Sequence, residues 1–293
     1  MDKWEGKSRG NVLGYRIFVW CIRYLGLNFA YFLLLFVSSY FVFASRKAFR
    51  AIWYFYHDRL GRNKINTLAS IFRNYYLFGQ VLIDKTTILA GIRHNFTFSL
   101  LGREHLLEMH DGGILISGHV GNWEVGTKTL AFLDKKINLL VFDAEHAAIS
   151  QYMSDILEDR NVNFIKMGPD LSHMLEIQKA LERKEIIAIT GDRFVEGNKS
   201  VRVGFLGEPA AFPTGPWHIA SYFKVPVSYV FAVKTSRRHY RFSATPLRRI
   251  PSLSNPMKRA ELVTGPIKDY VSELEKTIRA YPLQWYNYYD FWK

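Results

Sequence analysis

Four short apolar runs, separated by amphipathic stretches, constrain this chain more than any other feature. Residues 113–117, 137–142, 186–190 and 227–233 carry few polar side chains, the pattern of strands buried on both faces. Between them the pattern turns helical, over 122–133, 146–160, 170–183 and 215–223. Strands that alternate with helices imply an α/β sheet with substantial parallel pairing, because a parallel neighbour is reached only through a crossover. The expected fold is therefore α/β, a mixed and largely parallel sheet flanked by helices. Ligands bind such sheets at the carboxyl ends of the strands, so the residues just beyond each run are where chemistry is to be sought.

Two of those ends carry suitable groups. The first run stops at Ser117-Gly118 and leads into His119, with Asn122, Trp123 and Glu124 following where a helix begins. The third stops at Thr190-Gly191 and leads into Asp192-Arg193. Inside one regular helix His119 and Glu124 would point about 140° apart, since each residue advances about 100°. With Asn122 opening the helix and the histidine in the preceding turn, the imidazole can fold back toward Glu124. The ring would then be held in one tautomer, its other nitrogen available to take a proton. An ordinary strand-to-helix turn with a satisfied histidine accounts for the same residues. Gly118 and Gly121 leave room for either a ligand or a tight turn. Arg193 suits an oxyanion or phosphate through paired hydrogen bonds, or a structural pair with Asp192 or Glu196. Asn122 and Trp123 line a groove or simply start the helix.

The N-terminal region sets a second constraint. Tyr24 to Ala44 is 21 residues without a charge, about 31 Å as a helix, which matches a bilayer core. It is too long and aromatic for a signal peptide, and no small-residue cleavage site follows. It reads as a membrane helix, spanning or interfacial, against the alternative of a buried core helix. Arg16 and Arg23 precede it while Arg46, Lys47 and Arg50 follow, so the positive-inside rule cannot set its orientation. Residues 46–80 are helical in pattern and mix aromatics with bases, as suits a membrane surface or a packed core. Residues 81–110 also read as helical, 198–210 as a strand and turn, and about 257–279 as a final amphipathic helix. The tail from Trp285 to Trp292 is too apolar to stay in water and should pack back onto the domain or onto lipid. No linker or repeat divides the chain, so the expected organisation is an anchor over residues 1–45 and one domain, carrying the candidate site, over 46–293.

Charge and composition narrow the partners. The chain has 39 basic and 26 acidic residues, a net charge of +13, which favours an anionic partner. Nucleic acid has no motif in its support. The single cysteine, Cys21, excludes an intrachain disulfide and fits a reducing compartment. His105 and His110, with Glu104 and Glu108, lack a zinc spacing, and no glycine-rich phosphate loop follows a strand. The expectation is no metal and no cofactor.

Gly118-His119-Val120-Gly121-Asn122-Trp123-Glu124 resembles the His-x4-Asp/Glu signature of the lipid A biosynthesis acyltransferases, a branch of the lysophospholipid and glycerophosphate acyltransferases. Further features lie in that family's order: the uncharged N-terminal run, then Ile186-Ile187-Ala188-Ile189-Thr190-Gly191-Asp192-Arg193, Val203-Gly204-Phe205-Leu206-Gly207-Glu208-Pro209-Ala210, Gly215-Pro216 and Lys224-Val225-Pro226-Val227. The resemblance covers nearly the whole chain. It implies an acyltransferase-type fold and a membrane-associated O-acyltransferase that moves a fatty acyl chain from an acyl carrier protein or coenzyme A thioester to a hydroxyl of a lipid A-type glycolipid. It implies His119 as general base, Glu124 as its orienting carboxylate, and Asp192, Arg193 and Asn122 at the acceptor or oxyanion. With the lone cysteine, it favours a bacterial inner membrane and a catalytic domain facing the cytoplasm. Related acceptors remain open, namely phosphoinositide mannosides, aminolipids or pigments, as does a catalytically silent membrane-binding homologue.

Overall fold

The four apolar runs all become strands. The computed structural model describes residues 12–89, 91–92, 95–122, 125–126, 130–142, 162–168, 172–193, 199–251 and 259–292. Its strands are β1 (Thr97–Leu101), β2 (Gly113–Ser117), β3 (Ile137–Phe142), β4 (Val162–Met167), β5 (Ile186–Thr190), β6 (Ser200–Phe205), β7 (Glu208–Pro213), β8 (Pro226–Ser236), β9 (His239–Ala244) and β10 (Arg248–Arg249). The main sheet runs β1-β9-β8-β2-β5-β3-β4, with β10 on β8, while β6 and β7 form a separate hairpin. From β8 through β4 every neighbour is parallel; β9 and β10 run antiparallel to β8.

Burial on both faces explains the unbroken apolar runs. All five residues of β2 are buried. Ile114 and Ile116 face one core with Ile187 and Ile189 of β5, and Leu115 faces another with Ile186 and Ala188. Each such side chain, fully buried, stabilises the fold by about 1.5–3 kcal/mol.

The helices are α1 (Val12–Leu25), α2 (Leu27–Ala44), α3 (Arg46–Trp53), α4 (Lys64–Leu89), α5 (Arg103–Leu107), α6 (Ser172–Glu182), α7 (Gly215–Phe223) and α8 (Arg259–Ala280). A π-helical turn, Tyr54–Arg59, separates α3 from α4. The region expected to be helical to residue 110 departs from that reading. α4 ends at Leu89, and Thr97–Leu101 instead adds a parallel strand beside β9. A five-residue segment takes that form because an open sheet edge supplies its hydrogen bonds, and no local pattern announces such an edge. Of the helix expected over 122–133, the described residues show helix at Val125–Gly126 and a 3-10 turn at Ala131–Leu133. The helix expected over 146–160 lies outside the described residues.

α2 is the one helix among the described residues long and apolar enough to cross a membrane. Its faces differ. Ala30, Tyr31, Leu34 and Ser38 are buried against α1 and α4, and Leu34 lies so close to Gly79 of α4 that a Cβ there would meet it at 2.3 Å. Phe29, Phe32, Phe36, Tyr40 and Phe43 recur at helical spacing on the other face and are exposed.

Candidate active site at the ends of β2 and β5

The register of the central pair brings the two motifs together. Ser117 of β2 stands opposite Thr190 of β5, and the Gly191 N–H donates to the Ser117 carbonyl at 2.8 Å, carrying the ladder past the strand ends. His119 and Asp192 each lie two residues beyond that pair, so they leave the sheet side by side. Asp192 then accepts twice from His119. Its Oδ1 takes the ring Nδ1–H at 2.7 Å and its Oδ2 takes the backbone N–H at 2.8 Å. The proton is assigned to Nδ1 because an ionised carboxylate can only accept. Two contacts from one carboxylate hold the ring in position and set its tautomer.

Close packing beneath the pair depends on two glycines. A Cβ on Gly118 would stand 2.9 Å from the Tyr270 hydroxyl, and one on Gly191 would stand 2.7 Å from Ile116. That hydroxyl donates to the Ser117 carbonyl at 2.9 Å. The Asp192 side chain is 1% exposed and that of His119 26%, so the imidazole is the part of the pair that faces outward. Burial pushes the Asp192 carboxyl up. The charge and hydrogen bonds of His119 and the charge of Arg193 outweigh it, holding the group below the usual carboxylate range.

The loop carrying His119 is stitched down on both sides. On one, the Asn122 N–H donates to the Ala232 carbonyl of β8 at 2.6 Å. On the other, the C-terminal tail runs alongside: Gly121 N–H donates to the Gln284 carbonyl at 2.8 Å and Tyr286 N–H to the His119 carbonyl at 2.9 Å, with Val120 bridged antiparallel to Trp285. Gly121 has φ of +67°, and a Cβ there would lie 2.0 Å from the Ala232 carbonyl oxygen. Its smallness therefore admits the backbone of β8. Gly121→Ala combines left-handed strain of about 1–2 kcal/mol with overpacking of about 1–3 kcal/mol. A thermal unfolding midpoint well below that of the parent is the expected result; an unchanged midpoint would contradict this packing.

Arg193 reaches the same tail. Its guanidinium donates to the Tyr286 carbonyl and lies 5.6 Å from the centre of the Tyr289 ring, while the Asp192 carboxylate is directed at His119. Asn122 is buried, and its side-chain amide donates to the Val81 carbonyl of α4 at 3.2 Å. Trp123, Glu124 and Glu196 lie outside the described residues. Among the described residues no three His, Cys, Asp or Glu side chains gather as a metal would require. Spacing had not pointed to Gln284, Tyr286, Tyr289 or Tyr270. The apolar tail signalled that it packs, but Tyr286 acts here through its backbone, which leaves no trace in side-chain pattern.

Fold and site together describe an α/β protein with a carboxylate-oriented imidazole at the mouth of its sheet, an arrangement suited to moving a proton. Residues 70–293 match the family model described as bacterial lipid A biosynthesis acyltransferase. The match takes in most of the chain: the protein belongs to that family and is an acyltransferase. Among solved structures, the 1-acyl-sn-glycerophosphate (LPA) acyltransferase PlsC from Thermotoga maritima is similar over 83% of this chain and 95% of that one, with 15% identity and a TM-score of 0.36, too distant a likeness to bear on the site. No curated relative matches the chain.

Proposed function

We propose that this acyltransferase moves a fatty acyl chain from an acyl carrier protein thioester to a hydroxyl of a lipid A-type glycolipid precursor, at the cytoplasmic face of a bacterial inner membrane. The observation that carries the reading is the His119–Asp192 pair, which lies inside the residues that match the family model. As the acceptor oxygen attacks the thioester carbonyl, His119 Nε2 takes the hydroxyl proton and Asp192 stabilises the imidazolium that forms. Collapse of the tetrahedral intermediate breaks the C–S bond. The imidazolium returns its proton to the thiolate, leaving an ester and a free thiol. Arg193 is proposed to help stabilise the oxyanion or an acceptor phosphate, and Asn122 to hold the loop in place. No cofactor enters these steps, since the thioester is itself a substrate.

The exposed aromatic face of α2 supports membrane attachment, which keeps the site beside an acceptor that does not leave the bilayer. The net charge of +13 suits an acidic carrier protein and a phosphorylated lipid, steering encounter more than specificity. Spacing assigns Glu124 the role of orienting His119. The geometry favours Asp192, because the single Nδ1 proton is already directed at Oδ1. Glu124→Gln is therefore expected to cost less turnover than either His119→Ala or Asp192→Asn, measured as kcat with saturating thioester; a larger loss from Glu124→Gln would return the orienting role to that residue.

The test is transfer of label from acyl carrier protein thioester to a panel of lipid acceptors, using membranes that carry the protein. Label in a lipid A precursor, and none with His119→Ala, is the expected result. Label in another lipid class would move the assignment to that acceptor. No label from either carrier-protein or coenzyme A thioesters would overturn it.

A further inference from the structure

A buried ionic cluster, unused by the proposed chemistry, lies one step behind the His119 loop. The side chains of Lys234 on β8 and Asp84 on α4 are 3% and 0% exposed. Lys234 Nζ donates to Asp84 Oδ2 at 2.7 Å, to the Tyr31 hydroxyl at 3.0 Å and to Gln80 Oε1 at 3.1 Å, which uses all three ammonium protons. Asp84 also accepts from the hydroxyls of Tyr31 and Tyr240. Burial raises the Asp84 carboxyl above its usual range and lowers the Lys234 ammonium, while their mutual attraction opposes both. Apolar residues of similar volume would serve stability as well as such a pair, whose best-attested use is to fix one arrangement of the parts around it.

The parts fixed here lead to the site. Gln284 grips the backbone of Lys234 as a neighbouring strand would, its Oε1 accepting from the N–H at 2.8 Å and its Nε2 donating to the carbonyl at 2.7 Å. The carbonyl of the same Gln284 takes the Gly121 N–H, and two residues on, the Tyr286 N–H holds the His119 carbonyl. Direct contacts therefore run from Tyr31 on α2, through Asp84 and Lys234, to Gln284 and the His119 loop. The links are hydrogen bonds joined by short covalent steps, and Tyr31, Asp84, Lys234 and Gln284 are all buried, so a shift at one end has little slack to absorb it.

We propose that Tyr31, Asp84, Lys234 and Gln284 are positioning residues for His119, which makes α2 part of the catalytic apparatus as well as an apolar anchor. The inference rests on His119 being the general base. Tyr31→Phe removes one hydroxyl and leaves α2 apolar, whereas Gln284→Ala removes the clasp on β8. The full-length protein in detergent micelles would be assayed with tetradecanoyl-acyl carrier protein and total membrane lipid, beside 15N-histidine spectra of the same samples. The expected result is a fall in kcat of about 10- to 100-fold, as a catalytic group displaced by a fraction of an ångström gives, with KM for the thioester unchanged. The histidine signal missing from His119→Ala should move in both variants, a readout that needs no turnover. An unmoved signal with unchanged kcat overturns the proposal, and so does a loss of kcat that only tracks loss of folded protein. Should Gln284→Ala not fold, Tyr31→Phe alone decides. Retained turnover in His119→Ala would instead overturn the assignment of the base.

Discussion

Replacing His119 with alanine is expected to lower acyl transfer by about 10³- to 10⁴-fold, because it removes the group proposed to take the hydroxyl proton as the thioester is attacked. The fold should survive. The ring is partly exposed, and the backbone N–H that donates to Asp192 Oδ2 remains after truncation. What is lost structurally is one hydrogen bond to a buried carboxylate, about 1–3 kcal/mol. The contrast between a near-normal unfolding midpoint and a collapsed kcat separates a chemical role from a structural one. Turnover near the parent rate would exclude His119 as the base.

Asp192→Asn is expected to cost about 10³- to 10⁴-fold in kcat, with shape almost unchanged. The carboxylate accepts from the His119 ring and from its backbone N–H, and an amide has only one accepting atom. If its oxygen takes the backbone N–H, its NH₂ faces Nδ1 and selects the tautomer with a proton on Nε2, which cannot act as base. If the amide turns over, two N–H groups oppose each other. Either arrangement also removes the charge that stabilises the imidazolium. The same residue predicts a pH effect on stability. Its folded pKa is depressed below the ordinary value of 3.8, so the folded state binds fewer protons than the unfolded one just above the folded pKa. The stabilisation is complete well above 3.8 and disappears as pH falls through the depressed value. Unfolding free energy of the parent should therefore drop through that acidic window more steeply than that of Asp192→Asn; parallel curves would exclude the linkage.

Much of the sheet is legible from periodicity. The runs at 113–117, 137–142 and 186–190 coincide with β2, β3 and β5, the run at 227–233 lies inside β8, and the helix expected over 215–223 is α7. These segments are legible because their pattern reflects burial within the segment itself. β1, β4 and β9 were not, since each is a short, partly exposed strand whose form depends on a neighbour distant in sequence. The reading of residues 81–110 as helix failed for that reason at Thr97–Leu101.

The site divides along the same line. Sequence alone determined that a histidine follows one strand and an Asp-Arg pair another, because turn residues and chemical groups are local facts. Their meeting was decided by the parallel register of β2 and β5, which places residues 73 positions apart within 2.7 Å. Spacing pointed to Glu124 as the partner of His119, and Glu124 lies outside the described residues; Asp192 could not be found by reasoning from neighbours, because it arrives on another strand. The use of the tail as a brace for His119 and Arg193 was also decided only in three dimensions. Its hydrogen bonds to the His119 loop come from backbone groups that every residue possesses, and only tertiary packing selects which of them are used.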